Sequence, residues 1–132
     1  KSIGLQSIKA KVGFDGDVAL IAALRELFGP DVSIRVDANG VWSPEQALST
    51  LNEMAAYDVA SCEEPLGRAQ MDALPNLAAQ SAIPIMVDES LVTLEDAREL
   101  IAAEACDVFN VRLSKCGGLG RSLEFIEKHS AK

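Results

Sequence analysis

Ile34-Arg35-Val36-Asp37, Ala60-Ser61-Cys62-Glu63 and Ile85-Met86-Val87-Asp88 are three short β-rich runs, each closed by an acid. The closing acids lie 26 and 25 residues apart, the length of one strand plus one helix in a repeated βα unit. In a parallel α/β fold that interval brings the three strand ends to one rim. Three carboxylates gathered there repel one another unless a cation lies between them, so Asp37, Glu63 and Asp88 are predicted to hold a divalent metal. Carboxylate donors without a Cys or His companion suit Mg2+, or Mn2+, better than Zn2+.

Working outward, the apolar runs predict strands over 5–12, 33–38, 59–63, 83–88 and 107–113, and helices over 15–28, 44–56, 69–80, 94–103 and 119–128. Ser43-Pro44-Glu45-Gln46 reads as an N-cap, an N1 proline and a capping-box glutamine. Gly29-Pro30 stops the first helix, on which Leu20, Leu24 and Leu27 form an apolar stripe. Period-2 alternation places Lys9 and Lys11 on one strand face, then Arg35, Asp37 and Asn39, then Asn110 and Arg112. Each of these strands thus has one polar and one apolar face. A doubly wound sheet buries both faces, whereas a closed barrel can line its mouth with polar groups. The fold class is therefore α/β, a segment of a (β/α)8 TIM barrel with five βα units and parallel strands. A whole barrel takes eight strands and about 250 residues, so residues 1–132 are expected to be a partial catalytic domain of a longer enzyme.

The composition is ordinary for a globular chain, with 48% hydrophobic and 24% charged residues. A net charge of −8 argues against a nucleic-acid surface, and no apolar run is long enough to span a membrane. A cytoplasmic location is expected, with Cys62, Cys106 and Cys116 reduced and two of them buried. His129 is expected at the surface. Lys9 and Lys11, side by side on one strand, are predicted to depress each other's pKa and so to supply a general base. Adjacent Glu63 and Glu64 point opposite ways, and the spacing selects Glu63 for the rim. Glu64 and Glu89 are left for supporting ion pairs, and Gly117-Gly118 reads as a tight turn in preference to a phosphate cradle.

Lys9-x-Lys11, Asp37-x-Asn39, Glu63-Glu64-Pro65, Asp88-Glu89-Ser90 and Asn110-Val111-Arg112-Leu113-Ser114-Lys115-Cys116-Gly117-Gly118 resemble, in order and spacing, the enolase superfamily. Within it the chain is most similar to the muconate lactonizing enzyme subgroup, which includes mandelate racemase-like and muconate cycloisomerase-like enzymes. The resemblance implies that the five units are about strands 2 to 6 of the barrel. It also implies a capping domain and further strands beyond this chain. It assigns Asp37, Glu63 and Asp88 to Mg2+, Lys11 to removal of the proton α to a substrate carboxylate, and Lys9 to keeping Lys11 poised. Asn39, Asn110, Glu89 and Lys115 would support the substrate and the acids.

One position departs from the subgroup, which usually carries a second lysine where this chain has Arg112. Arginine is a poor base. One-base isomerisation, cycloisomerisation or dehydration through an enolate is therefore expected ahead of racemisation or epimerisation. Lys115 lies beyond the strand and on the wrong parity for the site unless a turn swings it inward. The partner is a small-molecule carboxylate, with acid sugars, dipeptides, muconate and succinylbenzoate all open, and the parent protein is expected to be a homo-oligomer. Two rivals remain: a receiver-like signalling domain and a catalytically inactive structural fragment.

Overall fold

The structure, a computed structural model, describes residues 4–129 of the 132-residue chain. Strands β1 (Ser7–Lys11), β2 (Ser33–Asp37), β3 (Val59–Glu63), β4 (Ile85–Val87) and β5 (Val108–Phe109) form one sheet, parallel throughout and in the order of the sequence. Between and after them run α1 (Asp17–Phe28), α2 (Pro44–Met54), α3 (Leu74–Gln80), α4 (Leu94–Ala102) and α5 (Leu119–His129), with 3-10 turns at Ala55–Tyr57 and Arg68–Ala73. Parallel crossovers are right-handed, so a sheet laid down in sequence order carries its helices on one face. A receiver-like sheet has its first two strands exchanged, and the sequential order excludes that rival.

The helix-facing side is the core. Ile34 and Val36 of β2, Cys62 of β3 and Ile85 and Val87 of β4 pack with Ile21, Ala47, Leu51, Leu77, Ala97 and Leu100 from the helices. The opposite side carries Lys9, Lys11, Asp37 and Glu63, because Lys11 pairs with Asp37 and Asp37 with Glu63 in the ladder. A bulge sets the β2–β3 register. Ile34 faces Val59 but Arg35 faces Ser61, so Ala60 has no partner residue of its own.

Ser43 and Gln46 close the capping box as read from sequence, at 3.2 and 3.1 Å, and Gly29 caps α1. The apolar stripe of α1 is rotated from expectation. Val18, Ile21 and Leu24 face the core, whereas Leu20 and Leu27 are exposed. The fifth strand is two residues long, not seven, because the chain leaves the ladder after Phe109 and turns through Leu113–Gly117. Gly117 and Gly118 take φ of 82° and 91°, the tight turn expected. The region 69–80 divides into a 3-10 turn and the short α3.

Cys62 and Cys116 are buried, Cys106 is half-buried and all three are free. Burial pushes the Cys106 thiol up to about 12, and that of Cys62 higher still, which leaves both inert. The side chain of His129 lies outside the described residues. Among the described residues no helix is long and apolar enough to cross a membrane.

Candidate active site

The polar face ends in a row of buried acids at successive strand ends. Asp37 is 1% exposed, Glu63 4% and Asp88 0%. Charge of that density inside a protein requires compensation, and four cationic side chains from the two flanks provide it. From β1, the Lys9 ammonium bridges Asp37 Oδ2 and Glu63 Oε2, at 2.7 Å each. Lys11 Nζ lies 2.6 Å from the same Asp37 oxygen and 2.5 Å from Asn39 Oδ1. From beyond β5, the Arg112 guanidinium meets Asp88 Oδ2 and lies 3.4 Å from Glu89 Oε1. Lys115 Nζ approaches Asp88 Oδ1 at 3.3 Å and Glu89 at 4.0 Å. Asn110 Nδ2 donates to Glu63 Oε1 at 3.3 Å across β4.

These pairings set the titration of the rim. Burial alone would raise the Asp37 carboxyl, but hydrogen bonds from Lys11, Lys9 and the Asn39 backbone N–H outweigh it, and the pKa lies below its ordinary value. Burial lowers the Lys9 ammonium, and its bonds to Asp37 and Glu63 more than reverse that. The expected depression of Lys9 by Lys11 is thus corrected. The Lys9 side chain reaches the carboxylates of Asp37 on β2 and Glu63 on β3, so Lys9 is held protonated.

Two further expectations change. The turn after β5 carries Lys115 to Asp88, so strand parity does not govern a residue outside the strand. Among the described residues Glu64 makes no ion pair. It is 3% exposed, has φ +44°, and its carboxylate accepts the Asp88 backbone N–H at 2.8 Å and the Ser90 hydroxyl. Burial, the largest influence, raises its pKa. Glu64 and Ser90 both stand in the acidic motifs of the sequence, but the motifs do not announce this contact. No local signal marked it, since Glu64 has φ +44° where the residue before a proline ordinarily takes extended backbone.

All ten predicted site residues lie at one rim. The acids themselves are not drawn round a common point. Among the described residues no three His, Cys, Asp or Glu side chains form a group that would hold a metal ion, because each acid turns to a lysine, an arginine or an amide. The donor chemistry nonetheless fits a hard cation: three buried carboxylates on one face, at the ends of three adjacent strands, with no thiol or imidazole beside them on that face among the described residues.

The profile of the enolase C-terminal domain-like family matches residues 1–128. The chain is 42% identical over 128 residues to a D-Ala-D/L-Ala epimerase of Cytophaga hutchinsonii, covering 96% of this chain and 35% of that one. A crystal structure of dipeptide epimerase from the same organism, complexed with Mg and dipeptide D-Ala-L-Val, superposes with a TM-score of 0.89 over 94% of this chain and 34% of that chain, at 42% identity. Muconate cycloisomerase from Pseudomonas fluorescens superposes with a TM-score of 0.90 at 31% identity, over 96% and 36% of the two chains. The chain spans about a third of the length of the curated relatives it matches. A five-stranded parallel sheet with one charged rim, matched along nearly its whole length by that profile, belongs to the enolase C-terminal domain-like family.

Proposed function

We propose that this sheet is the second to sixth strands of an eight-stranded barrel, and that the full-length protein removes the proton α to the carboxylate of a small-molecule substrate. The observation that carries this reading is Lys11 beside Asp37 at the end of the acid row. Its side chain is 58% exposed and free to turn to a substrate, whereas Lys9 is pinned between two acids. Lys11 is the base. Lys9, kept protonated by Asp37 and Glu63, stands beside it as a fixed positive charge. Asp37, Glu63 and Asp88 would hold Mg2+, which when bound would stabilise negative charge developing on the substrate carboxylate.

The fate of the proton depends on the far wall. Arg112 is always protonated and neither accepts nor readily gives up a proton. Lys115 reaches the same wall and can donate. With Lys11 on one side and Lys115 on the other, the outcome is inversion at the α-carbon, as in the relatives named epimerases. Amino-acid-derived carboxylates such as dipeptides are the substrate class. A one-base isomerisation or dehydration is the second reading, favoured by Arg112 at that wall. The isolated 132-residue chain, with strands β1 and β5 at open edges, is expected to show no substantial turnover.

The test is exchange of the substrate α-proton in D2O, followed by proton NMR on the full-length protein with a panel of dipeptides and other carboxylic acids. Exchange with inversion, lost in Lys11→Ala, is expected. Exchange with retention, or elimination, selects the second reading. No exchange from any of them, in a folded protein that binds Mn2+, overturns both.

A further inference from the structure

Glu64, the residue after Glu63, joins neighbouring segments of the rim through both its backbone and its side chain. Its backbone N–H donates to Met86 O of β4 at 2.8 Å, and its carbonyl accepts from Gly40 N–H, in the loop after β2, at 2.7 Å. Its carboxylate reaches over the end of β4, where one oxygen takes the Asp88 N–H at 2.8 Å and the other the Ser90 hydroxyl. Ser90 Oγ is itself steadied by Met71 Sδ at 3.2 Å. Glu64, Asp88 and Ser90 are all buried. The residue therefore ties together the segments that follow β2, β3 and β4, of which the first carries Asn39, the second starts directly after Glu63 and the third carries Asp88.

Among the described residues no cation lies within ion-pair distance of the Glu64 carboxylate, which is satisfied by hydrogen bonds alone. What Glu64 does contact is the backbone amide of one proposed metal-binding residue, while standing next to another in sequence. An amide held by a charged acceptor fixes the residue's φ and hence the direction of its Cα–Cβ bond. The Asp88 carboxylate meets Arg112 and Lys115 from the far wall, and the Glu64 contact fixes the backbone from which it projects.

We infer that Glu64 is a positioning residue that acts through the Asp88 backbone and Ser90 to aim the Asp88 carboxylate at the rim, and so sets the affinity of the site for a divalent cation. The inference rests on the proposed function, since it assumes that Asp88 binds the cation.

The experiment measures Mn2+ binding by electron paramagnetic resonance on the full-length protein and on Glu64→Ala, Glu64→Gln, Ser90→Ala and Asp88→Asn. Thermal unfolding of each variant is measured alongside. Removing a group that orients a metal ligand typically costs about 10- to 100-fold in affinity. Glu64→Ala is expected to raise the Kd by at least tenfold. Glu64→Gln, which keeps an acceptor for the Asp88 amide, is expected to stay within about threefold of wild type. Ser90→Ala, which frees one Glu64 oxygen, is expected to fall between the two.

A Glu64→Ala protein that melts earlier but binds Mn2+ as wild type has lost only stability, and this overturns the inference. If Glu64→Ala does not accumulate as folded protein, Ser90→Ala decides. A raised Kd supports the inference and an unchanged one overturns it. Asp88→Asn separates the two levels. If it binds Mn2+ normally, the metal-site reading itself fails. If it loses binding while the Glu64 and Ser90 variants retain it, only the present inference fails.

Discussion

Gly40→Ala is expected to damage both stability and chemistry, and the structure divides its cost into two parts. Gly40 has φ +71°, and a Cβ there would lie 2.8 Å from Gly67 Cα, 3.0 Å from Gly67 N and 3.3 Å from Leu66 C. Those are backbone atoms, so no rotamer change relieves the contact. The left-handed backbone alone costs an alanine about 1 kcal/mol, and forcing the two loops apart adds about 1–3 kcal/mol. Gly16 separates the first part. Its φ is +89° with nothing within 4 Å of an added Cβ, so Gly16→Ala should cost about 1 kcal/mol. Gly67 separates the second. Its φ is an ordinary −73°, but a Cβ there would lie 2.9 Å from Gly40 O, so Gly67→Ala should cost about 1–3 kcal/mol. Urea unfolding of the full-length variants should give a Gly40→Ala loss near the sum of the other two. Because Gly40 follows Asn39, the partner of Lys11, Gly40→Ala and Gly67→Ala should also slow α-proton exchange while Gly16→Ala does not. A neutral Gly67→Ala would refute the reasoning, since it would mean that the two loops part freely.

At the other end of the sheet, Arg25 donates to the carbonyls of Tyr57, Gly29, Val32 and Asp58 at 2.7–2.9 Å. Arg25→Lys cannot span that fan and should cost roughly 2 kcal/mol in urea unfolding with Mn2+ binding unchanged. Asp96 closes the α4 capping box. Burial works to raise its carboxyl, but the Thr93 and Val92 N–H groups and the Thr93 hydroxyl hold it below the ordinary 3.8. Its stabilising contribution is therefore complete above pH 3.8 and lost as the pH falls through the folded-state value, and Asp96→Asn should flatten that part of the acid-unfolding curve. Lys115→Ala should slow exchange from one epimer of a substrate by about 10²–10⁴ and spare the other. Equal loss from both would reduce Lys115 to a partner of Asp88.

The acids were legible because their intervals report the βα repeat directly, and the ladder then places Asp37 opposite Glu63. Lys9 and Lys11 were legible as rim residues but not as members of ion pairs. The sequence displays their shared strand, whereas their partners come from β2 and β3, and that contact decides the direction of the Lys9 shift. Lys115 and the length of β5 failed together, since parity was extended past the point where the chain leaves the sheet. On α1, Leu20 and Leu27 looked like core from their type, but the helix turns its Val18–Ile21–Leu24 side to the sheet. The Gly40–Gly67 approach and the reach of Glu64 join segments more than 20 residues apart, and no local pattern announces them.

The bulge at Ala60 has a consequence for how this domain tolerates changes in length. Val59 and Glu63 are four residues apart and, in a regular strand, would share a face. Here Val59 is buried in the core and Glu63 stands at the rim, because one residue between them is looped out of the pairing. The strand is thus divided into a lower half that answers to packing and an upper half that answers to the acid row. Deleting Ala60 would leave Val59 opposite Ile34 and Glu63 opposite Asp37, and would make both acid intervals 25. A single-residue deletion at that point is absorbed, whereas one between Ser61 and Glu63 would rotate the carboxylate into the core. Within β3, an alignment gap is harmless or ruinous according to which side of the bulge it falls.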